Sequence, residues 1–261
     1  MIDREKPIGV FDSGVGGVSV LRELRKIAPK ENIIYYGDSA NAPYGEKSAD
    51  EVRELAFAAF HKLLSLGAKA IVVACNTATG AAVRLLREKY PDIPIVGIEP
   101  AIKPAVIYGE TVLGKTDGSS KILVMATPVT ISQEKFEVLT EEYNDRAKII
   151  PLPCPRLAEL IEAGDPLSDE VKNYLTELLA PYKDVDSVVL GCTHYPFSAP
   201  LIGEILENSK IFDGGLGTAK EALRRIEAAE LKNPNNTEGS ISFLTSKDEG
   251  STELYKKFFY M

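Results

Sequence analysis

Short, continuously apolar runs punctuate the first part of the chain, at residues 8–11, 33–36, 70–73 and 94–97. None alternates polar with apolar, so each predicts a strand covered on both faces. Between them the apolar positions shift to helical spacing. Residues 48–66 give the clearest case: Val52, Leu55, Ala56, Ala59, Phe60 and Leu63 recur at three and four, Ser48 and Glu51 form a capping box, and Gly67 is the stop. This rhythm of strand, helix, strand predicts βα units and a largely parallel sheet with right-handed crossovers.

The pattern then returns. Runs at 121–125, 148–150, 187–190 and 210–212 repeat the first set at an offset of about 115 residues. The third members agree in detail: Val72-Val73-Ala74-Cys75-Asn76-Thr77 stands against Val189-Leu190-Gly191-Cys192-Thr193-His194. The expectation is an α/β protein of two similar lobes with mostly parallel sheets, related by pseudo-two-fold symmetry, with an active site in the cleft between them. Residues 114–120 and 232–240 read as loops, 241–244 as a last strand and 254–260 as a short helix.

Ligands of parallel sheets bind beyond the carboxyl ends of the strands, where helix N-termini converge. Cys75 and Cys192 both occupy that position, so lobes facing each other would aim two thiols into one cleft. Inverting a stereocentre means taking a proton from one face and supplying one to the other. A thiolate and a thiol suit this reversible exchange because their roles swap with direction, and both titrate within reach of neutrality. The weakly acidic α-carbon of an amino acid also needs its carboxylate held by oriented N–H and hydroxyl donors. His194, two residues beyond Cys192, is placed to support that sulfur. Asp12 and Asp38 serve either as strand-end caps or as carboxylates that orient an ammonium group and move protons. Cys154, between two prolines, has no counterpart in the first repeat and reads as structural. His61 reads as surface or packing, and Tyr35-Tyr36 as strand core.

Other chemistries fit less well. Asp12-Ser13-Gly14-Val15-Gly16-Gly17 is glycine-rich, yet the third position of a dinucleotide fingerprint holds Ser19, and no Gly-Lys-Ser/Thr phosphate loop occurs. The 261 residues are 44% apolar and 26% charged, with a net charge of −8 and no basic block, which disfavours a nucleic-acid partner. No apolar run is long enough to span a bilayer, and the first seven residues lack the apolar core of a signal peptide. Three scattered cysteines make neither a disulfide framework nor a zinc spacing, so the expected setting is cytoplasmic, with free thiols.

The segments Gly9-Val10-Phe11-Asp12-Ser13-Gly14-Val15-Gly16-Gly17, Tyr35-Tyr36-Gly37-Asp38-Ser39, Pro43-Tyr44-Gly45, Val73-Ala74-Cys75-Asn76-Thr77-Ala78 and Leu190-Gly191-Cys192-Thr193-His194-Tyr195-Pro196 resemble those of the glutamate racemases of bacterial cell-wall synthesis. The resemblance spans essentially the whole chain. It implies interconversion of L- and D-glutamate without pyridoxal phosphate, metal or nucleotide, by a homodimer. It assigns Cys75 to the α-proton of D-glutamate and Cys192 to that of L-glutamate, with Asp12 and His194 as supporting acid–base residues. Asp12, Ser13, Tyr44, Gly45, Asn76, Thr77 and Thr193 would cradle the substrate, helped by Thr127 and Thr130, while Asp38 and Glu162 would be supporting acids. It further implies lobes at 1–98 and 99–209, with 210–261 returning to the first. Aspartate as substrate, or a regulatory protein that keeps the pocket only to bind, are the alternative readings.

Overall fold

The computed structural model describes residues 3–261, so the first two residues of the N-terminal stretch lie outside the described residues. The elements run β1 (Ile8–Asp12), α1 (Val18–Ile27), β2 (Ile33–Gly37), α2 (Ala49–Ser65), β3 (Ala70–Val73), α3 (Asn76–Lys89), β4 (Ile95–Gly97) and α4 (Ile102–Thr111). They continue as β5 (Lys121–Ala126), α5 (Pro128–Ile131), α6 (Glu134–Glu141), β6 (Lys148–Pro153), α7 (Leu157–Glu162), α8 (Asp169–Leu179), β7 (Ser187–Leu190), α9 (Ala199–Ile205) and β8 (Lys210–Asp213). The chain ends with α10 (Gly215–Ala228), β9 (Ile241–Thr245) and α11 (Glu249–Tyr260).

Among the described residues the strands form two sheets, in the orders β4-β3-β1-β2-β9 and β6-β5-β7-β8, with every pairing parallel. Leaving β9 aside, the two orders are the same topology written twice. The expected α/β fold of two similar parallel-sheet units is therefore what the chain forms. Two compact units result: the described residues up to Glu99 together with Gly215–Met261, and Pro100–Gly214. The expected return of the chain at residue 210 is corrected by this division. β8 hydrogen-bonds to β7 through Ser187↔Lys210 to Leu190↔Asp213, so residues 210–214 belong to the second unit.

The helical spacing over 48–66 closes as α2. Ser48 caps it, Glu51 returns a hydrogen bond to the Ser48 N–H at 2.9 Å, and Gly67 follows with φ +84°. In the first unit α2 and α3 bury Val52, Ala56, Phe60, Ala82 and Leu86 against Phe11, Ile71, Val73 and Ile95. α10 and α11 both pack on α1, which explains why the chain comes back to this unit. In the second unit, Ile102 and Val106 of α4, with Phe136 of α6, pack on Ile122, Val124 and Val189. The last helix begins earlier than the apolar spacing suggested, because Asp248 caps it by accepting from the Ser251 N–H at 3.2 Å. No helix among the described residues is long and apolar enough to cross a membrane.

One buried ion pair anchors the returning segment. Lys69 and Glu31 meet at 2.5 Å with both side chains almost wholly out of water. Lys69 Nζ also donates to the Arg4 carbonyl, and Glu31 accepts from the Asn233 N–H at 2.9 Å. Nothing in the apolar pattern announces this pair. Lys69→Met leaves the Glu31 carboxylate buried without its cation, which costs about 3–5 kcal/mol. Urea denaturation is expected to show a loss of that size. A loss below about 1 kcal/mol would mean that water reaches the carboxylate.

Candidate active site

In each sheet the chain leaves its first strand to one side and reaches its third on the other. This creates a crevice at the carboxyl ends of β1 and β3, and likewise of β5 and β7. What the sequence puts there is polar. In the first unit Asp12 and Ser13 end β1 and Cys75 follows β3; in the second, Thr127 follows β5 and Cys192 follows β7.

Cys75 is the N-cap of α3, and its sulfur accepts from the Ala78 N–H at 3.5 Å. A long helix thus begins on the sulfur, an arrangement that favours a negative charge there. Ser13 Oγ lies 4.0 Å from the same sulfur. Asn76 and Thr77, in the first turn of α3, are buried. Neither the side-chain nitrogen nor the oxygen of Asn76 has a hydrogen-bond partner among the described residues. A buried, unpaired amide costs about 1–3 kcal/mol, which makes this one a candidate ligand contact.

The loop carrying Asp12 is fixed by hydrogen bonds and close packing. Asp12 accepts from the Gly14 N–H at 2.9 Å, and Tyr35 donates its hydroxyl to the Gly14 carbonyl at 2.6 Å. A Cβ on Gly17 would come within 2.5 Å of the Asp12 Cβ, so only glycine fits. The loop after β2 is ordered around Asp38. That carboxylate accepts from Tyr44 Oη at 2.6 Å and from Asn41 Nδ2 at 3.0 and 3.2 Å. Burial first, then the Asp38 contact, holds the Tyr44 hydroxyl protonated far above the ordinary tyrosine range. Gly45 follows in a tight turn over Tyr44–Glu46. Asp38 therefore acts on Tyr44 and Asn41, which sharpens the choice left open between a simple strand-end cap and a functional carboxylate.

The second sulfur has different neighbours. Cys192 Sγ is 3.7 Å from His194 Nδ1, and His194 Nε2 donates to Glu162 at the end of α7. Burial works against charge on this imidazole, yet its contacts with Cys192 and Glu162 outweigh burial and raise its pKa well above the ordinary histidine value. His194 thus lies between a sulfur and a carboxylate, two contacts that favour its protonated form. Thr193 is buried beside it. Thr127 caps α5, accepting from the Thr130 N–H at 3.2 Å and donating to Thr130 Oγ1 at 2.9 Å.

The sequence-predicted residues thus fall into two sets, one per unit: Asp12, Ser13, Asp38, Tyr44, Gly45, Cys75, Asn76 and Thr77, and Thr127, Thr130, Glu162, Cys192, Thr193 and His194. Cys154 is buried in the second unit, within electrostatic reach of Cys192. Its S–H donates to the Leu152 carbonyl at 3.4 Å, and burial pushes the thiol far above the ordinary cysteine range. His61 is an exposed helix residue against Tyr90, at 2.6 Å. Among the described residues no group of three His, Cys, Asp or Glu side chains could hold a metal ion. Sequence reasoning overlooked Tyr35 and Asn41. Tyr35 carried a signal, since a tyrosine at a fully buried strand position needs a partner for its hydroxyl.

Residues 8–222 match the model of the Asp/Glu/Hydantoin racemase family. A glutamate racemase from Clostridium perfringens is 50% identical over 258 residues, covering 97% of this chain and 96% of the relative. The chain belongs to the glutamate racemases. Solved structures agree. A glutamate racemase isoform from Bacillus anthracis superposes with a TM-score of 0.84 at 32% identity, covering 98% of this chain and 94% of that one. The glutamate racemase of Francisella tularensis, solved in complex with D-glutamate, gives 0.82 at 28% identity, covering 99% and 95%.

In this racemase the raised His194 pKa rests first on Cys192 and then on Glu162. Glu162→Gln removes the carboxylate, so His194 should lose its proton at lower pH. A histidine NMR titration reads this directly, because the chain has only two histidines and His61→Gln assigns them. An unchanged titration would show that Glu162 does not hold the imidazolium. The sign for stability follows. A raised folded pKa contributes stability that is complete below the unfolded value and fades as pH rises through the folded one, so Glu162→Gln should destabilise most on the acid side of that window.

Proposed function

We propose that this protein interconverts L- and D-glutamate, and that Cys75 and Cys192 are the acid and base that act on opposite faces of one α-carbon. The observation that carries this reading is the matched placement of two sulfurs at the carboxyl ends of the third strands of two like sheets, in a chain of this family. D-glutamate bound to the Francisella tularensis relative supports the choice of substrate.

The reaction balances without an external reactant. With L-glutamate, the Cys192 thiolate takes the α-proton, the C–H electron pair moves onto the α-carbon and its carboxylate, and the Cys75 thiol protonates the other face. The two sulfurs have then exchanged states, and the enzyme stands ready for D-glutamate. Proton exchange with solvent restores the first form. His194, held by Glu162, supplies positive charge beside the Cys192 sulfur. The α3 N-terminus does the corresponding job at Cys75, and Asp12 and Ser13 lie on the same crevice to orient the ammonium group and pass protons. The unpaired Asn76 amide, the protonated Tyr44 hydroxyl and the Gly45 backbone, with Thr77, Thr193, Thr127 and Thr130, supply donors for the carboxylates. Such preorganised donors typically contribute about 2.7–4 kcal/mol each to a developing negative charge.

The product suits peptidoglycan synthesis, where D-glutamate is consumed, and free thiols fit a reducing cytoplasm. The expected working form is a homodimer. Incubating L-glutamate with the protein in D₂O, with no added cofactor, is expected to yield D-glutamate carrying deuterium at the α-carbon. Aspartate under the same conditions should remain unconverted. Unlabelled, unconverted L-glutamate in the presence of reduced protein across the neutral pH range would overturn the reading. Preferential labelling of aspartate would move the assignment to that substrate.

A further inference from the structure

We infer that Tyr255, in the C-terminal helix α11, is a positioning residue that fixes both substrate-facing loops of the first unit. This inference rests on the reading above, because it concerns the Asp12 and Tyr44 loops as substrate-binding segments. Tyr255 is fully buried, far from those loops in sequence, and outside every motif that pointed to the active site.

Its hydroxyl works on the loop after β2. Tyr255 Oη lies 2.6 Å from Ser39 Oγ and 3.3 Å from the Gly37 carbonyl, with Thr245 Oγ1 of β9 at 3.2 Å. Ser39 is the neighbour of Asp38, which holds Tyr44 and Asn41. A second tie from the same C-terminal segment reinforces the first. The Ser246 N–H donates to the Gly37 carbonyl at 3.1 Å, and Ser246 Oγ accepts from the Ala40 N–H at 3.0 Å. Residues 37–40 are thereby clamped from outside by β9 and α11, while Asp38 gathers Asn41 and Tyr44 on the other side.

Its ring works on the loop after β1. It meets the Tyr35 ring edge-on, with centroids 5.3 Å apart, and Tyr35 is the residue whose hydroxyl holds the Gly14 carbonyl. One side chain therefore supports the Ser39 side of one loop directly and the Gly14 turn of the other through Tyr35. The backbone is shaped to admit it. A Cβ at Gly37 would lie 2.2 Å from Tyr255 Oη, so the glycine between Tyr36 and Asp38 makes room for this hydroxyl. That gives the return of the C-terminal segment to the first unit a functional purpose: it brings a brace to the crevice.

The test separates ring from hydroxyl. Tyr255→Phe keeps the edge-on packing and deletes the hydrogen bonds, and Ser39→Ala removes the partner hydroxyl from a partly buried position. Since enantiomers are equally stable, kcat/KM is the same in both directions for any variant, so KM and kcat must be read apart. Tyr255→Phe is expected to raise KM for both enantiomers about three- to tenfold, the effect of losing a neutral hydrogen bond, while kcat changes little. Ser39→Ala should do the same, and the double variant should be no worse than either single one. Amide exchange across residues 38–46 should quicken about tenfold in both variants, with β1 and β3 unchanged.

Unchanged KM, additive effects, or quicker exchange without a rise in KM would each overturn the assignment. If Tyr255→Phe does not fold, Ser39→Ala carries the same expectations alone. Wild-type protein without racemase activity would sink the glutamate reading instead. In that case the exchange measurement still decides whether Tyr255 holds the loop.

Discussion

Inverting an amino-acid α-carbon calls for a proton taken from one face and supplied to the other, and each unit carries a buried cysteine beyond its third strand. In each sheet a cysteine follows the third strand, at the point where strand order reverses and the chain must leave a crevice. The sulfurs inherit their positions from the most rigid part of each unit. Strands β1, β3, β5 and β7 are almost entirely buried, so their carboxyl ends have little freedom to drift.

Repetition stops at the sulfur. Cys75 receives an N–H at the start of a long helix, with a serine hydroxyl close by, whereas Cys192 is followed by a tight turn and answers to the His194–Glu162 pair. One topology thus carries two different sulfur environments: a helix N-terminus in one unit and a histidine held by a carboxylate in the other. The difference suits a reaction whose two directions are chemically equivalent while the two partners of the carbon need not be. Cys154 shows what the same fold does with a cysteine lacking either device. Its thiol stays protonated and donates to a carbonyl.

Much of this was legible in the chain itself. Continuous apolar runs marked the parallel strands, the Ser48/Glu51 pair marked α2, and the doubled Val-Val-Ala-Cys and Val-Leu-Gly-Cys exits marked both sulfurs. The boundary implied at residue 210 falls about five residues early, because a strand that completes one sheet, β8, is followed almost at once by a helix that returns to the other, α10. Only the β7–β8 pairing settles which unit residues 210–214 join. The start of α11 was missed because its first turn is polar and owes its helix to the Asp248 cap. The Lys69–Glu31 pair and the Tyr255 brace lay out of reach for another reason. Each joins residues separated by tens or hundreds of positions, and a buried charge or hydroxyl leaves no periodic trace.

The central claim, that different sulfurs serve the two faces of the carbon, is tested most directly by following α-proton exchange in D₂O for each enantiomer separately in Cys75→Ala and Cys192→Ala. Both variants should lose racemisation by roughly 10²–10⁴-fold, the usual weight of a general acid–base group. The slow exchange that remains should be confined to L-glutamate in Cys75→Ala and to D-glutamate in Cys192→Ala. Either variant racemising at the wild-type rate, or both exchanging the same enantiomer, would contradict the account.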